Sequence, residues 1–411
     1  MTQVSPPQLY PGGLTRQQVL AWRNATFVIF ALPGLALASW ISRVPAVRDV
    51  LGASTEQMGV LITGIAVGSV TGLIASSHIV ARFGARATIA ITLTSSVVGI
   101  VIAGLGSTLG PSFWTVFVGL VVFGAGTGIC DVAMNVSGAA NERVLGRTVM
   151  PIYHAFFSFG TMVGAGTGAL AEYLKIPLAV HFSVIAGVVA ISVLIAVRWS
   201  QSEHVIEEET QANDHGTTWR ERLSIWRDSS TLLIGLVVLG AAFAEGSAND
   251  WLALAMVDGH GLSNENGALV FGIFVTAMTV GRLLGVKLLD RFGRVPVLRA
   301  SFLLATVGLL VLIYVPVAWI AIVGSVAWGL GSALGFPVGM SAAADDPRKA
   351  AARVSAVATI GYCAFLVGPP AIGFLGEHVG LLNGLLVVLV LVAVAGVVSG
   401  SAREPEKRTA E

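Results

Sequence analysis

Residues Gly52 to Gly84 recur, without insertion or deletion, as Gly261 to Gly293, a displacement of 209 positions along the chain. Gly52 matches Gly261, Ser54 matches Ser263, Glu56 matches Glu265, Gly72 matches Gly281, and Arg82-Phe83-Gly84 matches Arg291-Phe292-Gly293. Two further stretches agree: Ala38-Ser39-Trp40 falls over Asn249-Asp250-Trp251, and Gly119 to Ser137 over Gly324 to Ala342. Such agreement between the halves of an apolar chain implies a duplicated helical bundle. Two similar membrane bundles can hold a ligand where they meet and rock around it, so the repeat points to a carrier.

The chain is 55% hydrophobic and only 11% charged, with a mean hydropathy of +0.82. Ordinary soluble domains carry roughly 25% charged residues, so this is a membrane protein. A net charge of +1 offers no electrostatic reason to expect nucleic acid. Cys130 and Cys363 lie in separate apolar segments and read as small packing residues, neither a disulfide nor a thiolate metal site.

Apolar runs of about 20 residues predict twelve spanning helices. They fall near 20–42, 56–80, 87–106, 112–137, 149–171, 178–197, 230–255, 265–288, 295–314, 317–342, 353–375 and 379–399. Thr15 with Gln18, Ser54 with Gln57, and Thr218 with Glu221 have capping-box spacing at helix starts. With both termini cytoplasmic, the outer loops hold only Arg43, Arg48 and Lys175 of the 24 basic residues. That asymmetry supports an even helix count and an inward N-terminus. Arg16, Arg23 and Ala36-Leu37-Ala38 resemble a secretory signal with a cleavage site. The residues that follow match a mid-chain segment, however, so the first span is expected to persist.

The predicted organisation is an N-terminal six-helix bundle over 1–197, a cytoplasmic linker over 198–229, a second six-helix bundle over 230–400 and a cytoplasmic tail over 401–411. Glu207-Glu208-Glu209 and Asp214 mark a solvated flexible stretch of the linker. Trp219, Leu223 and Trp226 share one helical face, which predicts a short helix on the inner membrane surface.

An ionisable group inside an apolar span is costly and is kept where it faces a cavity or a partner. Asp131, His154, Glu245 and Asp250 are read this way. Asp131 and Asn135 lie one turn apart, as do Glu245 and Asn249. A carboxylate beside an amide can bind a hydroxyl or amine and, when dehydrated, hold a proton, so Asp131 and Glu245 are the leading proton carriers. His154 either relays protons to Asp131 or packs as an ordinary helix-end histidine. Asp250 approaches the outer surface and is expected to pair with Arg43 or Arg48 as an outer gate.

Trp40, Tyr153, Phe157, Trp251, Trp328 and Tyr362 could stack on a sugar ring or an aromatic drug, although most aromatics in a bundle simply pack. Trp114 and Trp319, near span ends, read as interface anchors. Gly160, Gly164 and Gly168 form a stripe for close helix approach. Gly368-Pro369-Pro370 and Pro337 predict kinks. No phosphate-cradling loop, metal-ligand cluster or catalytic constellation is present, so no cofactor, no metal and no enzymatic activity are expected.

Gly285, Asp290, Arg291, Phe292, Gly293 and Arg294 resemble the signature between the second and third helices of each half in the major facilitator superfamily. Helix count, duplication and central linker extend that resemblance over nearly the whole chain. Trp40-Ile41-Ser42-Arg43-Val44-Pro45, Asp131-Val132-Ala133-Met134-Asn135 and Glu245 to Trp251 resemble a bacterial inner-membrane branch, the YbjJ-like proteins, itself distantly similar to fucose–proton symporters. The resemblance implies that the first, fourth, seventh and tenth helices line a cavity. It also implies a cytoplasmic latch of Arg82, Gly84, Asp290, Arg291, Gly293 and Arg294 acting across the bundles, lopsided because Ala81 stands where the second half has Asp290.

The expected protein is therefore an all-α, monomeric, multi-pass carrier of the bacterial inner membrane. It is expected to move a small polar organic solute, with a sugar-like one as a candidate, together with protons by alternating access. The substrate-binding set would be Trp40, Asp131, Asn135, Tyr153, Glu245, Asn249, Trp251, Trp328 and Tyr362. The alternatives are a proton-exchanging exporter of amphipathic drugs or metabolites, against which Ala165 stands at the place of an antiporter proline, and a membrane sensor or assembly partner without flux.

Overall fold

The computed structural model describes residue 10 and residues 13–146, 149–201, 225–345 and 350–404. Apart from one bridge between Tyr10 and Leu14, the elements are helical. In chain order they are α1 Arg16–Ile41, α2 Val44–Leu51, α3 Thr55–Thr108, α4 Phe113–Leu145, α5 Met150–Tyr173, α6 Leu178–Ala196 and α7 Ser229–Ser247. A π-turn, Ala248–Leu252, leads into α8 Ala253–His260, and then follow α9 Asn264–Phe292, α10 Arg294–Tyr314, α11 Ala318–Ser332, α12 Gly335–Ala343, α13 Ala350–Val379, α14 Leu381–Gly384 and α15 Leu386–Val398.

Among the described residues, ten stretches are long and apolar enough to cross a membrane. One of them, α3, has 54 residues. A straight helix of that length would reach about 80 Å, more than twice a bilayer core. It is two helices meeting at Gly84, whose φ of 75° and ψ of 157° are not helical. Dividing α3 there and adding the 24-residue α5 brings the spans to the expected twelve. The tenth span is broken at Ala333-Leu334 into α11 and α12, just ahead of Pro337, whose missing N–H removes one helical hydrogen bond there.

The sequence repeat is a repeat of backbone conformation. Gly52 and Gly261 both end helices in the left-handed region, at φ 59° and 67°. Gly84 and Gly293 share a second positive-φ conformation, at 75° and 77°. Ser54 and Ser263, also repeat-related, accept the backbone N–H of Gln57 and Asn266 at the start of the next helix. The capping boxes at Thr15 and Ser54 form, with Gln18 and Gln57 returning a bond to each cap N–H at 2.9 Å. That expected at Thr218 lies outside the described residues, as do Glu207, Glu208, Glu209, Asp214, Trp219 and Leu223 of the linker.

The chain divides into two compact units: Met1–Trp40 with Gly64–His215, and Ile41–Thr63 with Gly216–Glu411. In the first, α1 and α5 pack backbone to backbone. A Cβ on Gly160 would lie 2.0 Å from the carbonyl oxygen of Ala31, and one on Gly164 would lie 2.4 Å from that of Leu35. Trp22 of α1 donates its indole N–H to Ser137 of α4 at 3.1 Å. Glu142, near the end of α4, accepts the N–H groups of Val149 and Met150 and so caps α5.

In the second unit, α7 is the central helix, packed by α12, α13 and α15. Asp228 caps α7, accepting the Thr231 hydroxyl at 2.6 Å and its N–H at 3.3 Å. Arg353 of α13 reaches the same cap, bonding Ser230 at 2.7 Å and Thr231 at 3.1 Å, with Asp228 3.8 Å away. The Thr231 hydroxyl, helped by its N–H and by Arg353, holds the Asp228 carboxyl below the ordinary carboxylate range. A lowered folded-state value stabilises above the unfolded carboxyl's titration and is lost as pH falls through the folded one. The melting-temperature advantage of wild type over Asp228→Asn, which keeps a capping oxygen, will therefore shrink between pH 5 and pH 3, about where free carboxyls titrate. Asp228→Ala, which removes the cap, will cost about 1 kcal/mol at neutral pH.

Candidate functional site

Two helices combine an apolar sequence with almost complete enclosure. Between Gly119 and Glu142 no residue of α4 is exposed, and the same holds from Ile234 to Met256 through α7, the π-turn and the start of α8. By contrast α6 shows an open stripe of Val180, Val184, Val188, Ile191 and Ile195, as a lipid-facing helix should. The ionisable groups singled out in the fourth and seventh spans thus sit where protein surrounds them.

Asp131 is partly buried on α4. Its hydrogen-bond partner is Asn135, whose side-chain N–H donates to Asp131 Oδ1 at 3.3 Å and to its carbonyl at 2.8 Å. The expected amide–carboxylate pair is formed, and among the described residues no cation reaches it. His154 lies on the exposed side of α5, edge-on to Phe30 at 5.2 Å.

Glu245 has a partner that the sequence reading passes over. Nη2 of Arg282 on α9 contacts both carboxylate oxygens, at 3.1 and 3.0 Å. The signal was available, since Arg282 falls inside the predicted span 265–288 and a charge within a span is a functional candidate by default. Arg282 lies near buried Val275, Met278 and Gly285, with exposed Leu283 and Val286 beside it, and its guanidinium reaches Glu245. Asn249 lies in the π-turn, and the bond to the Glu245 carboxylate comes from Arg282. Asp250, in the same π-turn, has no hydrogen-bond or ion-pair partner among the described residues.

The outer cation Arg48 pairs with acids other than the expected Asp250. On α2, it donates Nη1 to both oxygens of Asp258 and Nη2 to Asp49 at 2.9 Å. Asn264 donates to the other Asp49 oxygen at 2.8 Å, and the N–H of Thr55 donates to Glu377 at 2.8 Å. Burial works against the Arg48 charge, but the bonds from Asp258 and Asp49 outweigh it and raise the guanidinium above its ordinary value. Asp258, eight positions after Asp250, sits at the helix end and reaches Arg48 with less desolvation. Arg43 is buried in the turn between α1 and α2.

At the opposite helix ends, Arg294 bonds Asp345 at 2.6 Å and Ser341 at 3.1 Å within the second unit. Asp290 is exposed and forms no bond among the described residues, while Arg82 and Arg291 lie over the neighbouring rings of Phe83 and Phe292. Among the described residues, Arg294 is the member of the expected latch set that bonds a carboxylate. Of the aromatics, Trp40, Tyr153, Trp251 and Trp328 are at most 1% exposed. Tyr153 is fixed by its hydroxyl bond to Asn141 at 2.7 Å, and Trp328 by an edge contact with Phe274. They serve the core in this conformation, and Tyr362, 39% exposed, keeps surface for a ligand. Trp114 and Trp319 are 69% and 67% exposed at the starts of α4 and α11, as interface anchors should be. Cys130 is buried, but Cys363 is exposed rather than packed.

Twelve apolar helices in a duplicated arrangement, with ionisable groups enclosed in two of them, define a multi-pass membrane transporter. The Major Facilitator Superfamily model matches residues 18–285 and 251–411, and the chain belongs to that family. It is 29% identical over 377 residues to an MFS-type transporter of Yersinia pestis, covering 92% of each chain. It is 27% identical over 376 residues to the membrane protein MosC of Rhizobium meliloti, covering 90% of this chain and 88% of MosC. The fold is similar to that of the nucleoside transporter NupG, with a TM-score of 0.70, 16% identity and coverage of 94% and 98%. It is also similar to the fucose:proton symporter FucP of E. coli, with a TM-score of 0.63, 14% identity and coverage of 95% and 100%. The Yersinia relative and both solved structures are transporters, and the family is one of transporters rather than enzymes.

Proposed function

We propose that the chain is a secondary active transporter that moves a small polar organic solute, sugar-like in character, across the cytoplasmic membrane by proton-coupled alternating access. The observation that carries this reading is the enclosure of Asp131 and of Glu245, the latter paired with Arg282, on apolar helices that have no exposed residue from 119 to 142 and from 234 to 256. Groups so costly to bury are kept for transport chemistry. Asp131, held by an amide and by no cation, can take and release a proton without first breaking an ion pair. Glu245 can do so only by leaving Arg282, so its protonation frees a guanidinium. His154 is the third proton-handling group of the proposal, and Asn135, Asn249 and Tyr362 supply polar and aromatic contacts for the solute. That NupG is a nucleoside transporter and FucP a fucose:proton symporter supports a hydroxyl-bearing solute and a proton.

In this reading the protein works as a monomer with both termini cytoplasmic. Single cysteines at Lys175 and at Arg291 will then label from opposite sides of intact cells, and labelling of both from outside would reverse or break the topology. The transport reading is tested by reconstituting the purified protein in liposomes and recording solute-dependent proton movement over sugars, sugar acids, nucleosides and cationic drugs. Movement inward with a polar solute supports the proposal. Proton exchange with cationic drugs would make the chain an exporter, and no movement with any solute would favour a membrane sensor.

A further inference from the structure

The Glu245–Arg282 pair leaves the guanidinium half used. Nη2 alone serves both oxygens of Glu245. A guanidinium has five N–H donors, and among the described residues Nε and Nη1 have no acceptor. The pair is not sealed, because its side chains are 32% and 23% exposed. The guanidinium is directed at Glu245, which lies on a helix with no exposed residue from 234 to 256, so the carboxylate end of the pair is set among protein.

Charge decides what can bind there. With Glu245 ionised the pair is neutral overall. A cationic solute meets a guanidinium whose positive charge is only partly screened, and a neutral polyol gains ordinary hydrogen bonds. A carboxylate gains charge-assisted ones of about twice the strength. A carboxylate added alone, however, leaves one uncompensated negative charge in a low-dielectric site, which is costly. That charge disappears if Glu245 takes up a proton and gives its place on Arg282 to the incoming carboxylate. Before binding the site holds one carboxylate and one guanidinium. Afterwards it holds a carboxylic acid, the guanidinium and the solute's carboxylate, so one proton and one monoanion have entered together and the charge is unchanged.

The surroundings contain little to disturb this exchange. Of the elements packed on α7, α11, α12 and α15 carry no ionisable side chain. From α13, Arg353 is held at the Asp228 cap, Glu377 at the Thr55 N–H and His378 at the Phe374 carbonyl. The π-turn adds Asp250, which bonds neither member of the pair.

We propose that Arg282 is the residue that anchors the solute in the second half, and that it selects a hydroxylated monocarboxylate, bound in exchange for Glu245 as that side chain is protonated. This rests on the carrier reading and adds the solute class. The test uses full-length protein in proteoliposomes with gluconate, galacturonate, glycerate and lactate, and with neutral sorbitol and cationic spermidine as comparisons. Uptake of at least one carboxylate is expected to follow the pH gradient and to ignore an imposed potassium diffusion potential. Arg282→Gln is expected to weaken that carboxylate's apparent affinity by about 10- to 100-fold, the range for hydrogen bonds to a charged group. Arg282→Lys, which keeps the charge, guards against a folding defect and should retain part of the response. Glu245→Gln should still exchange the carboxylate but lose its drive by the pH gradient. Sorbitol transported as well as every carboxylate, or a folded Arg282→Gln protein equal to wild type, overturns the assignment while leaving a carrier. Absence of proton movement with any of the six solutes overturns both.

Discussion

Asp131→Asn abolishes proton-driven accumulation while solute exchange across the membrane continues. A pH gradient of two units can support accumulation of about 100-fold when one proton accompanies each solute, because each tenfold step is worth about 1.4 kcal/mol. A variant that cannot carry the proton falls to equal concentrations inside and out. The substitution is a gentle one for the fold. Asparagine has nearly the same shape, retains an oxygen to accept the Asn135 N–H, and leaves no charge behind, since no cation faces Asp131 among the described residues. Loss of accumulation can therefore be read as loss of coupling. The measurement is solute uptake into proteoliposomes with and without the gradient, next to counterflow with no gradient. Accumulation that survives at the wild-type ratio would remove Asp131 from the coupling role.

The second large effect is structural. Gly160→Val places a branched side chain where the first added carbon would meet the Ala31 carbonyl at 2.0 Å, a distance no rotamer can relieve because the obstacle is backbone. Overpacking in a core usually costs 1–3 kcal/mol, roughly, and here whole helices must move, so the upper end or beyond is expected. At about 2–4 °C per kcal/mol for a unit of this size, the melting temperature in detergent should fall by roughly 5–15 °C. Gly166 on the same helix is the control. Nothing lies within 4 Å of a Cβ there, so Gly166→Ala should melt at or slightly above wild type, alanine being the better helix former by about 1 kcal/mol. A Gly160→Val protein that melts with wild type would mean that α1 and α5 are not packed this closely.

Parts of the site could be read along the chain because they obey one-dimensional rules. Asp131 and Asn135 meet because four residues make about one helical turn. Gly84 and Gly293 share a conformation because the same Arg-Phe-Gly triplet precedes the same kind of helix start. Glu245 and Asn249 have the same spacing, yet the bond to the carboxylate comes from Arg282. Arg282 lies 37 positions from Glu245, and their meeting depends on how α7 and α9 are turned about their own axes, which no local spacing encodes. Arg48 likewise pairs with Asp258 and Asp49, where Asp250's approach to the outer surface had suggested that residue.

From its sequence alone this protein is determined to be a duplicated, twelve-span membrane chain with strongly one-sided basic loops. Hydrophobic length and repeat are properties of composition and order, and a bilayer responds to them directly. Only the tertiary structure decided that Trp40, Tyr153, Trp251 and Trp328 are enclosed, that Cys363 is exposed, and that Glu245 is bound to Arg282. Burial and ion pairing are set by which faces of neighbouring helices come together, and that is fixed by packing between side chains distant in the chain.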